Sequence, residues 1–144
     1  MLNQKAFKPS DTEYLVDLWE RSVRKTHLFL SERDILSIKN DIPNHLNNLD
    51  VIIWETLDGT IVGFSGIYKT HLEALFIDPV HFRKGYGKYI IRTLINEFGI
   101  KTVDVNKDNK GAFEFYKSLG FMVESESAID NEGRNFPLLH LILE

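Results

Sequence analysis

The sequence predicts a single α/β (α+β) domain over residues 1–144, with a mixed, mostly antiparallel sheet of about seven strands. Three observations lead to this prediction. Segments with apolar residues at helical spacing alternate with short runs rich in β-branched and aromatic residues. The pair Asp58-Gly59 separates two such runs and is the strongest short-range signal for a β-hairpin. A chain of 144 residues that is 43% hydrophobic can also bury one substantial core.

Seven segments have the composition of β-strands, and their order predicts how they pair. The two strands around Asp58-Gly59, together with the strand that ends at Ile77, are expected to form an antiparallel meander. The strand that begins at Thr102 follows a helix, and a helical crossover favours parallel pairing with the strand ending at Ile77. The predicted strands cover residues 3–7, 51–56, 61–67, 71–77, 102–106, 121–129 and 136–143.

Two helices are predicted between the first and second strands. Ser10 and Glu13 have the spacing of a capping box, so the first helix is expected to begin there. Ser31 is expected to cap the second helix, which should end at Pro43 because proline lacks the N–H group that a helix needs. Residues 44–50 are expected to form a polar loop. The residues expected on the buried faces are Leu15, Leu18, Trp19, Val23, Ile35, Ile38 and Ile42.

The stretch from Glu73 to Gly99 carries the strongest functional signal. Its apolar strand is stopped by Asp78-Pro79, and an amphipathic helix follows up to Gly99, which suits a left-handed helix cap. Between them, residues 83–88 form the turn Arg-Lys-Gly-Tyr-Gly-Lys at the start of the helix. Free N–H groups at a helix N-terminus, the helix dipole and nearby cations predict an anion site that suits a diphosphate. The apolar helix positions are Ile91, Leu94, Ile95 and Phe98.

Two familiar phosphate-binding motifs do not fit this turn. A dinucleotide-binding fingerprint needs a third glycine at the position of Ile90, and it needs an acid at the end of the next strand, whereas Asp104 lies inside that strand. A Walker loop needs Ser or Thr where this chain has Tyr89, and a first glycine where it has Phe82. The turn therefore belongs to neither class.

A second motif follows the next strand, and the two motifs together carry a family resemblance. They are Gly85-x-Gly87 and Asn109-x-x-Ala112-x-x-x-Tyr116-x-x-x-Gly120-Phe121. In the order strand, glycine turn, helix and strand, they resemble the GCN5-related N-acetyltransferase (GNAT) family over about residues 52–143. The resemblance implies the acyltransferase fold of that family, a sheet with helices on both faces in which two neighbouring strands diverge to admit an acyl-CoA.

The resemblance implies acetyl-CoA as the cofactor. The strand before the turn would pair with the pantetheine amides, and the turn would hold the diphosphate. Phe82 stands where the family usually has Gln or Arg, so Arg83 is the expected substitute. Asn109 also suits a helix cap. The cofactor-binding residues implied by the resemblance are Leu75, Phe76, Ile77, Arg83, Lys84, Gly85, Tyr86, Gly87, Lys88, Asn106, Asn109 and Ala112.

The resemblance also implies catalytic residues. Tyr116 matches the family tyrosine that protonates the departing thiolate, although its spacing also fits the polar-tipped member of a buried stripe. Glu73 lies where the family often has a glutamate that takes the amine proton through water; the alternative is an ordinary carboxylate facing solvent. The residues expected on the acceptor side are His27, Phe29 and His71, and both histidines are further candidates for the base.

The resemblance therefore implies an enzyme that moves an acetyl group directly from acetyl-CoA to a primary amine of a small molecule, peptide or protein. The absence of cysteine is consistent with direct transfer in a ternary complex. The alternative is a catalytically degenerate module that binds acyl-CoA for regulation. A third candidate is a nucleotide- or phosphosugar-binding enzyme of another fold.

Charge and composition bound the partners. A net charge of −4 argues against a nucleic-acid partner, and the histidines have no spacing typical of metal ligands, so no metal is expected. Neither a signal peptide nor an apolar run of the ~20 residues that span a bilayer is found, so we expect a cytoplasmic protein without a membrane partner. Frequent dimerisation in the family leaves a homodimer open.

Overall fold

The structure, a computed structural model, describes all residues from Met1 to Glu144. One seven-stranded sheet has the order β1-β2-β3-β4-β5-β7-β6, and four helices pack against it. The strands are β1 Asn3–Ala6, β2 Asp50–Glu55, β3 Ile61–Tyr68, β4 His71–Ile77, β5 Thr102–Asn106, β6 Phe121–Ser127 and β7 Leu138–Leu143. The helices are α1 Thr12–Thr26, α2 Glu32–Asn48, α3 Tyr86–Phe98 and α4 Lys110–Ser118. None of these helices has the length and apolar character needed to cross a bilayer.

The junction between β4 and β5 is the only parallel pairing in the sheet, and it is short. It consists of two registered pairs, His71 with Thr102 and Leu72 with Val103. Beyond them β4 continues beside β3, whereas β5 continues beside β7. A bulge at Glu73 interrupts the β3–β4 register between the Gly66–Ala74 and Ile67–Leu72 pairs. The predicted parallel pairing and mostly antiparallel sheet are confirmed, and the two strands diverge after their first residues.

Two cores lie on opposite faces of the sheet, as the predicted helices on both faces require. Helices α3 and α4 cover one core, which includes Leu94, Val103, Tyr116 and Leu141. Helices α1 and α2 cover the other, whose buried members come only from α1, α2, β2 and β3. On this second face no core residue comes from β5, β6 or β7. We call this part of the sheet, formed by β5, β6 and β7, the open face.

Helix α2 does not end at Pro43, so that prediction and the loop over residues 44–50 are wrong. An interior proline costs about 3 kcal/mol because it removes a helical hydrogen bond and crowds the preceding turn. However, Ile42 and Leu46 are both buried beside it. Full burial of such side chains contributes about 1.5–3 kcal/mol each, which is enough to outweigh the proline. The predicted Ser31 cap is confirmed, since its hydroxyl accepts from the Asp34 N–H at 3.1 Å.

Three smaller predictions also differ from the structure. The capping box of Ser10 and Glu13 is wrong: residues 9–11 form a 3-10 turn, and Asp11 accepts instead from the Lys8 N–H at 2.9 Å. Phe98, placed on the buried face of α3 by its spacing, is 38% exposed because it lies in the last turn, beyond the edge of the core. Strands β6 and β7 are shorter than predicted, and residues 128–137 between them form a loop.

Candidate active site

The divergence of β4 and β5 opens a gap that is lined from both faces of the sheet. On the side of α3, a cavity of about 600 Å³ lies between the end of β4, the glycine turn and α4. A smaller cavity of about 200 Å³ lies between β4 and β5 and contains Glu73, Asp104 and Asn106. The residues that line both cavities are His27, Leu75, Phe76, Asn109, Ala112 and Tyr116. The two cavities therefore meet at Tyr116.

The structure brings most of the predicted site residues to this gap. The larger cavity also contains Ile77, Arg83, Gly85, Tyr86, Gly87 and Lys88. Three predicted residues line neither cavity. Lys84 lies in the same turn, with its Nζ 3.5 Å from His81 Nδ1. Phe29 lines a neighbouring cavity of about 340 Å³ together with Asn109, and His71 lies at the point where β4 and β5 part.

The glycine turn has the backbone geometry that an anion site needs. Gly85 has φ +81° and is the N-cap residue of α3, so its conformation favours glycine. A side chain on Gly87 would place its Cβ 3.3 Å from the ring of Phe115. Arg83 is left-handed as well, with φ +64°, although it is not glycine. That conformation costs a residue with a side chain about 1 kcal/mol.

The charges of the turn fit a diphosphate. Arg83, Lys84 and Lys88 form no ion pair with any carboxylate of the protein. The first N–H groups of α3 have no helical acceptor, and the positive end of the helix dipole lies behind them. On the facing strand, β4 past Leu72 is paired with β3 alone, so its second edge is free for the amides of an extended ligand.

Tyr116 combines a buried ring with a hydroxyl that reaches the gap. Only 7% of the residue is exposed, and its ring packs edge-on against Phe115 at 5.0 Å and Phe121 at 5.6 Å. The Tyr116 hydroxyl forms no hydrogen bond within the protein. Every fully buried side-chain oxygen of the protein has a hydrogen-bond partner, so the Tyr116 oxygen is not fully buried. It therefore faces the cavity that the residue lines. Burial raises the pKa of Tyr116 well above its usual value, which keeps the phenol protonated.

His27 is held in one tautomer at the end of α1. Asn109 Nδ2 donates to His27 Nε2 at 3.4 Å, so His27 Nδ1 carries the proton and donates to Thr26 Oγ1 at 2.7 Å. The Thr26 hydroxyl in turn donates to the Ser22 carbonyl at 2.9 Å, which agrees with this assignment. Burial lowers the pKa of His27 to about 4, so the ring is neutral. The predicted helix cap is confirmed, because Asn109 Oδ1 accepts from the Ala112 N–H at 3.1 Å.

Comparison with known proteins decides the family. The family model of the acetyltransferase (GNAT) family matches residues 12–121. The chain belongs to the GNAT family. It is 33% identical over 142 residues to the peptidyl-lysine N-acetyltransferase YjaB of Salmonella typhimurium, covering 99% of this chain and 98% of that protein. Its fold is similar to the solution structure of apo-form YjaB from Escherichia coli, with a TM-score of 0.89, 30% identity and coverage of 99% and 97%.

A further, more distant structure has the same fold. The PaiA N-acetyltransferase of Thermoplasma acidophilum in complex with coenzyme A has the same fold, with a TM-score of 0.66, 22% identity and coverage of 97% and 98%. Together with the family match, the relatives establish this GNAT chain as an acetyl-CoA-dependent N-acetyltransferase. The resemblance, the fold, the enzyme class and the cofactor predicted from the sequence are thereby confirmed.

The open face carries an acidic group that sequence reasoning missed. Val103 and Leu141 point into the core under α3, so their neighbours Asp104 and His140 point to the opposite face. Asp104 Oδ1 accepts from His140 Nδ1 at 2.6 Å, and Asp104 Oδ2 lies 3.3 Å from His71 Nε2. Burial acts to raise the pKa of Asp104, but the hydrogen bonds from His71 and His140 outweigh it and lower the pKa to about 2.

The sequence contains part of the evidence for this acidic group. Asp104 and His140 are polar residues inside apolar strands, which is unusual enough to indicate a role. They are 36 residues apart, however, and only the β5–β7 register places them opposite each other. Glu73, by contrast, is exposed at the bulge of β4, on the cavity that also contains Asp104.

Proposed function

We propose that this protein acetylates the ε-amine of lysine in a peptide or protein, by direct transfer from acetyl-CoA bound between β4 and β5. The observation that carries the proposal is the gap itself. Cations and free amide groups lie on one side, carboxylates lie on the other, and the Tyr116 hydroxyl lies between them. The names of the two YjaB relatives support lysine as the acceptor.

The residues of the larger cavity fit acetyl-CoA, which supplies an acetyl thioester when bound. The free edge of β4 at Leu75, Phe76 and Ile77 would pair with the amides of the pantetheine arm. Arg83, Lys84, Lys88 and the amides of residues 85–88 would hold the diphosphate, with Asn106, Asn109 and Ala112 on the opposite wall. Holding the thioester beside the amine replaces a bimolecular encounter by a near-attack geometry.

In this proposal Tyr116 gives its proton to the departing thiolate. The burial that raises the pKa of the phenol would also raise the pKa of a thiolate in the same cavity, so donor and acceptor stay matched. The chain has no cysteine that could form an acyl-enzyme. In the proposed direct transfer the amine attacks the thioester itself, and it needs a base to remove its proton first.

Glu73 and His71 are better placed than His27 to receive that proton. His27 has a pKa of about 4, and its Nε2 already accepts from Asn109. Such a weak base would not hold a proton taken from an ammonium group. Glu73 lines the cavity with Tyr116, and the pKa of His71 is raised, chiefly by its hydrogen bond to Asp104. We assign His27 to the wall of the acceptor site instead.

The acceptor side fits the two parts of a lysine side chain. Phe29, after α1, packs edge-on against Phe136, before β7, with the ring centroids 5.7 Å apart. This aromatic pair offers an apolar wall for the methylene stem. Asp104 and Glu73 offer carboxylates for the ammonium group.

The test is acetyl transfer by the purified protein to two matched peptides. One contains a central lysine, and the other has the same sequence with norleucine in its place; both carry blocked N-termini. Thiol release from acetyl-CoA and a mass gain of one acetyl group are expected for the lysine peptide alone. Transfer to free polyamines but to no lysine peptide would contradict the assigned acceptor, and no transfer to any amine would contradict the proposed mechanism.

A further inference from the structure

Five side chains from four strands form one continuous line of polar contacts on the open face. Thr102 Oγ1 lies 2.6 Å from His71 Nδ1, and His71 Nε2 lies 3.3 Å from Asp104 Oδ2. Asp104 Oδ1 lies 2.6 Å from His140 Nδ1, and His140 Nε2 lies 2.5 Å from Ser127 Oγ. We call Thr102, His71, Asp104, His140 and Ser127 the imidazole chain. It crosses β4, β5, β7 and β6.

The imidazole chain starts where the gap starts. His71 and Thr102 form the first of the two registered pairs between β4 and β5. Asp104 lies two residues further along β5 and lines the cavity that also contains Glu73 and Tyr116. The side chains of His71 and His140 are 25% and 27% exposed, so both rings reach solvent. The chain therefore connects the proposed acceptor cavity to the outside of the protein.

The partners of the two imidazoles allow either ring to be neutral or charged. The carboxylate of Asp104 can only accept, so His140 donates its Nδ1–H to it and His71 turns its Nε2–H toward it at 3.3 Å. The second nitrogen of each ring faces a hydroxyl, which can rotate to donate or to accept. A proton can thus enter or leave a ring without the loss of any hydrogen bond.

We propose that the imidazole chain takes up the proton that the acceptor's ammonium group loses, and that this proton comes to rest on His71. The proposal rests on the proposed function. An N–H bond of the ammonium group breaks, and the proton passes by way of the Glu73 carboxylate to His71 Nδ1. The Thr102 hydroxyl then turns from donor to acceptor. The neutral amine keeps its electron pair for attack on the thioester, and the imidazolium returns the proton to solvent after the product leaves.

The surrounding charges favour protonation of His71. The hydrogen bond from His71 to Asp104 raises the pKa of His71 against the effect of burial, and the charges of Asp104 and Glu73 raise it further. The pKa of the base is thereby moved toward the operating pH, at which general-base catalysis is most efficient. Asp104 and His140 are positioning residues in this account.

Other ionisable groups lie on the elements around the chain. From β7, His140 reaches the second oxygen of Asp104, while β6 contributes only the hydroxyl of Ser127 to the chain. At the end of β5, Lys107 is paired with Glu126 of β6 at 2.7 Å. From α1, the neutral His27 lines the cavity that Asp104 lines.

The decisive experiment is the pH dependence of kcat/KM for whichever amine the wild-type protein acetylates. The wild-type profile should rise with pH as His71 loses its proton. Asp104→Asn should move the midpoint of this rise to lower pH, because the carboxylate raises the pKa of His71. His71→Gln should lower kcat/KM by about 100-fold or more near neutral pH. The deficit should shrink above about pH 10, where a free amine is already neutral.

Controls separate this role from a purely structural one. His45→Gln, on α2, should leave the profile unchanged. If Asp104 only held the strands together, Asp104→Asn would lower the rate equally at all pH values and leave the midpoint in place, which would overturn the proposal. If Asp104→Asn does not fold, an NMR titration of the His71 ring in the wild-type protein replaces it. The midpoint of that titration should coincide with the midpoint of the kcat/KM profile. A mismatch between the two would overturn the proposal. A wild-type protein that transfers no acetyl group would instead contradict the proposed function.

Discussion

On the α3 side of the gap, the groups that fit acetyl-CoA come from one continuous stretch, residues 75–88, together with α4. On the open-face side, Asp104, His140 and Ser127 come from three strands that meet only in the folded sheet. The first side is largely backbone with unpaired cations, whereas the second consists of side chains that satisfy one another. We therefore expect cofactor binding to depend mainly on main-chain geometry and acceptor recognition to depend on individual side chains.

The largest effect should come from Tyr116, one of the residues that both sides share. Tyr116→Phe should lower kcat by about 100-fold or more, because the proton donor is lost while the ring packing is kept. The Kd for coenzyme A, measured by calorimetry, should change by less than about twofold. Tyr68→Phe, at an exposed tyrosine, is the control. Unchanged turnover in Tyr116→Phe would remove the tyrosine from the mechanism and leave it a core residue.

The stability of the protein should depend on pH through His27. The pKa of His27 is about 4 in the folded protein, and the ordinary value of 6.5 applies to the unfolded chain. The unfolded chain therefore binds the proton first as the pH falls. Stability should therefore decrease between pH 6.5 and 4, by up to about 3 kcal/mol. The raised pKa of His71 contributes a constant amount over this range, since its stabilising effect is lost only as the pH rises through its folded value.

Urea unfolding at pH 6.5 and 4.5 measures this effect. His27→Gln should flatten the pH dependence, and His45→Gln should not. An equally steep dependence in His27→Gln would mean that other groups cause the acid sensitivity.

On the cofactor side, Arg83 should strengthen the binding of acetyl-CoA and lower the thermal stability of the protein. Arg83→Gly removes a cation from the turn and should raise the KM for acetyl-CoA about tenfold, the effect of one lost charge-assisted hydrogen bond. It also relieves the left-handed backbone at φ +64°, so the melting temperature should stay level or rise. Lys84→Gly removes a cation without that relief and should lower the melting temperature. Equal thermal shifts in the two variants would argue against strain at Arg83.

The smallest effect should be confined to the acceptor side. Phe136→Leu keeps an apolar side chain but loses the edge-on contact with Phe29, a pair worth about 0.5–1.5 kcal/mol. The KM for a lysine peptide should therefore rise about two- to tenfold, and the KM for acetyl-CoA should not change. A rise in the KM for acetyl-CoA instead would show that the two sides of the gap are not independent.

The same contrast explains what the sequence could predict. The strand, turn and helix between His71 and Gly99 were predicted with their ends because each end has a local cause, such as Asp78-Pro79 or Gly85. The end of α2 was predicted wrongly at Pro43, because the burial of Ile42 and Leu46 against other elements decides it. Most of the predicted cofactor-binding residues lie together because local causes fix the ends of the strand, turn and helix that carry them. The Asp104–His140 contact could not be predicted, since it depends on which strand follows β5 in the sheet.

The two registered pairs between β4 and β5 have a consequence for isotope exchange. Amide protons of β4 that point toward β3 are protected by the ladder, whereas those past Leu72 that point toward β5 have no such partner. In the free protein the latter should exchange with deuterium quickly, although they lie in the middle of a sheet and not at its rim. An extended ligand in the gap would act as an eighth, non-peptide strand and slow them. The exchange rates of residues 73–77 would thus report occupancy of the gap even in a variant that has lost all turnover.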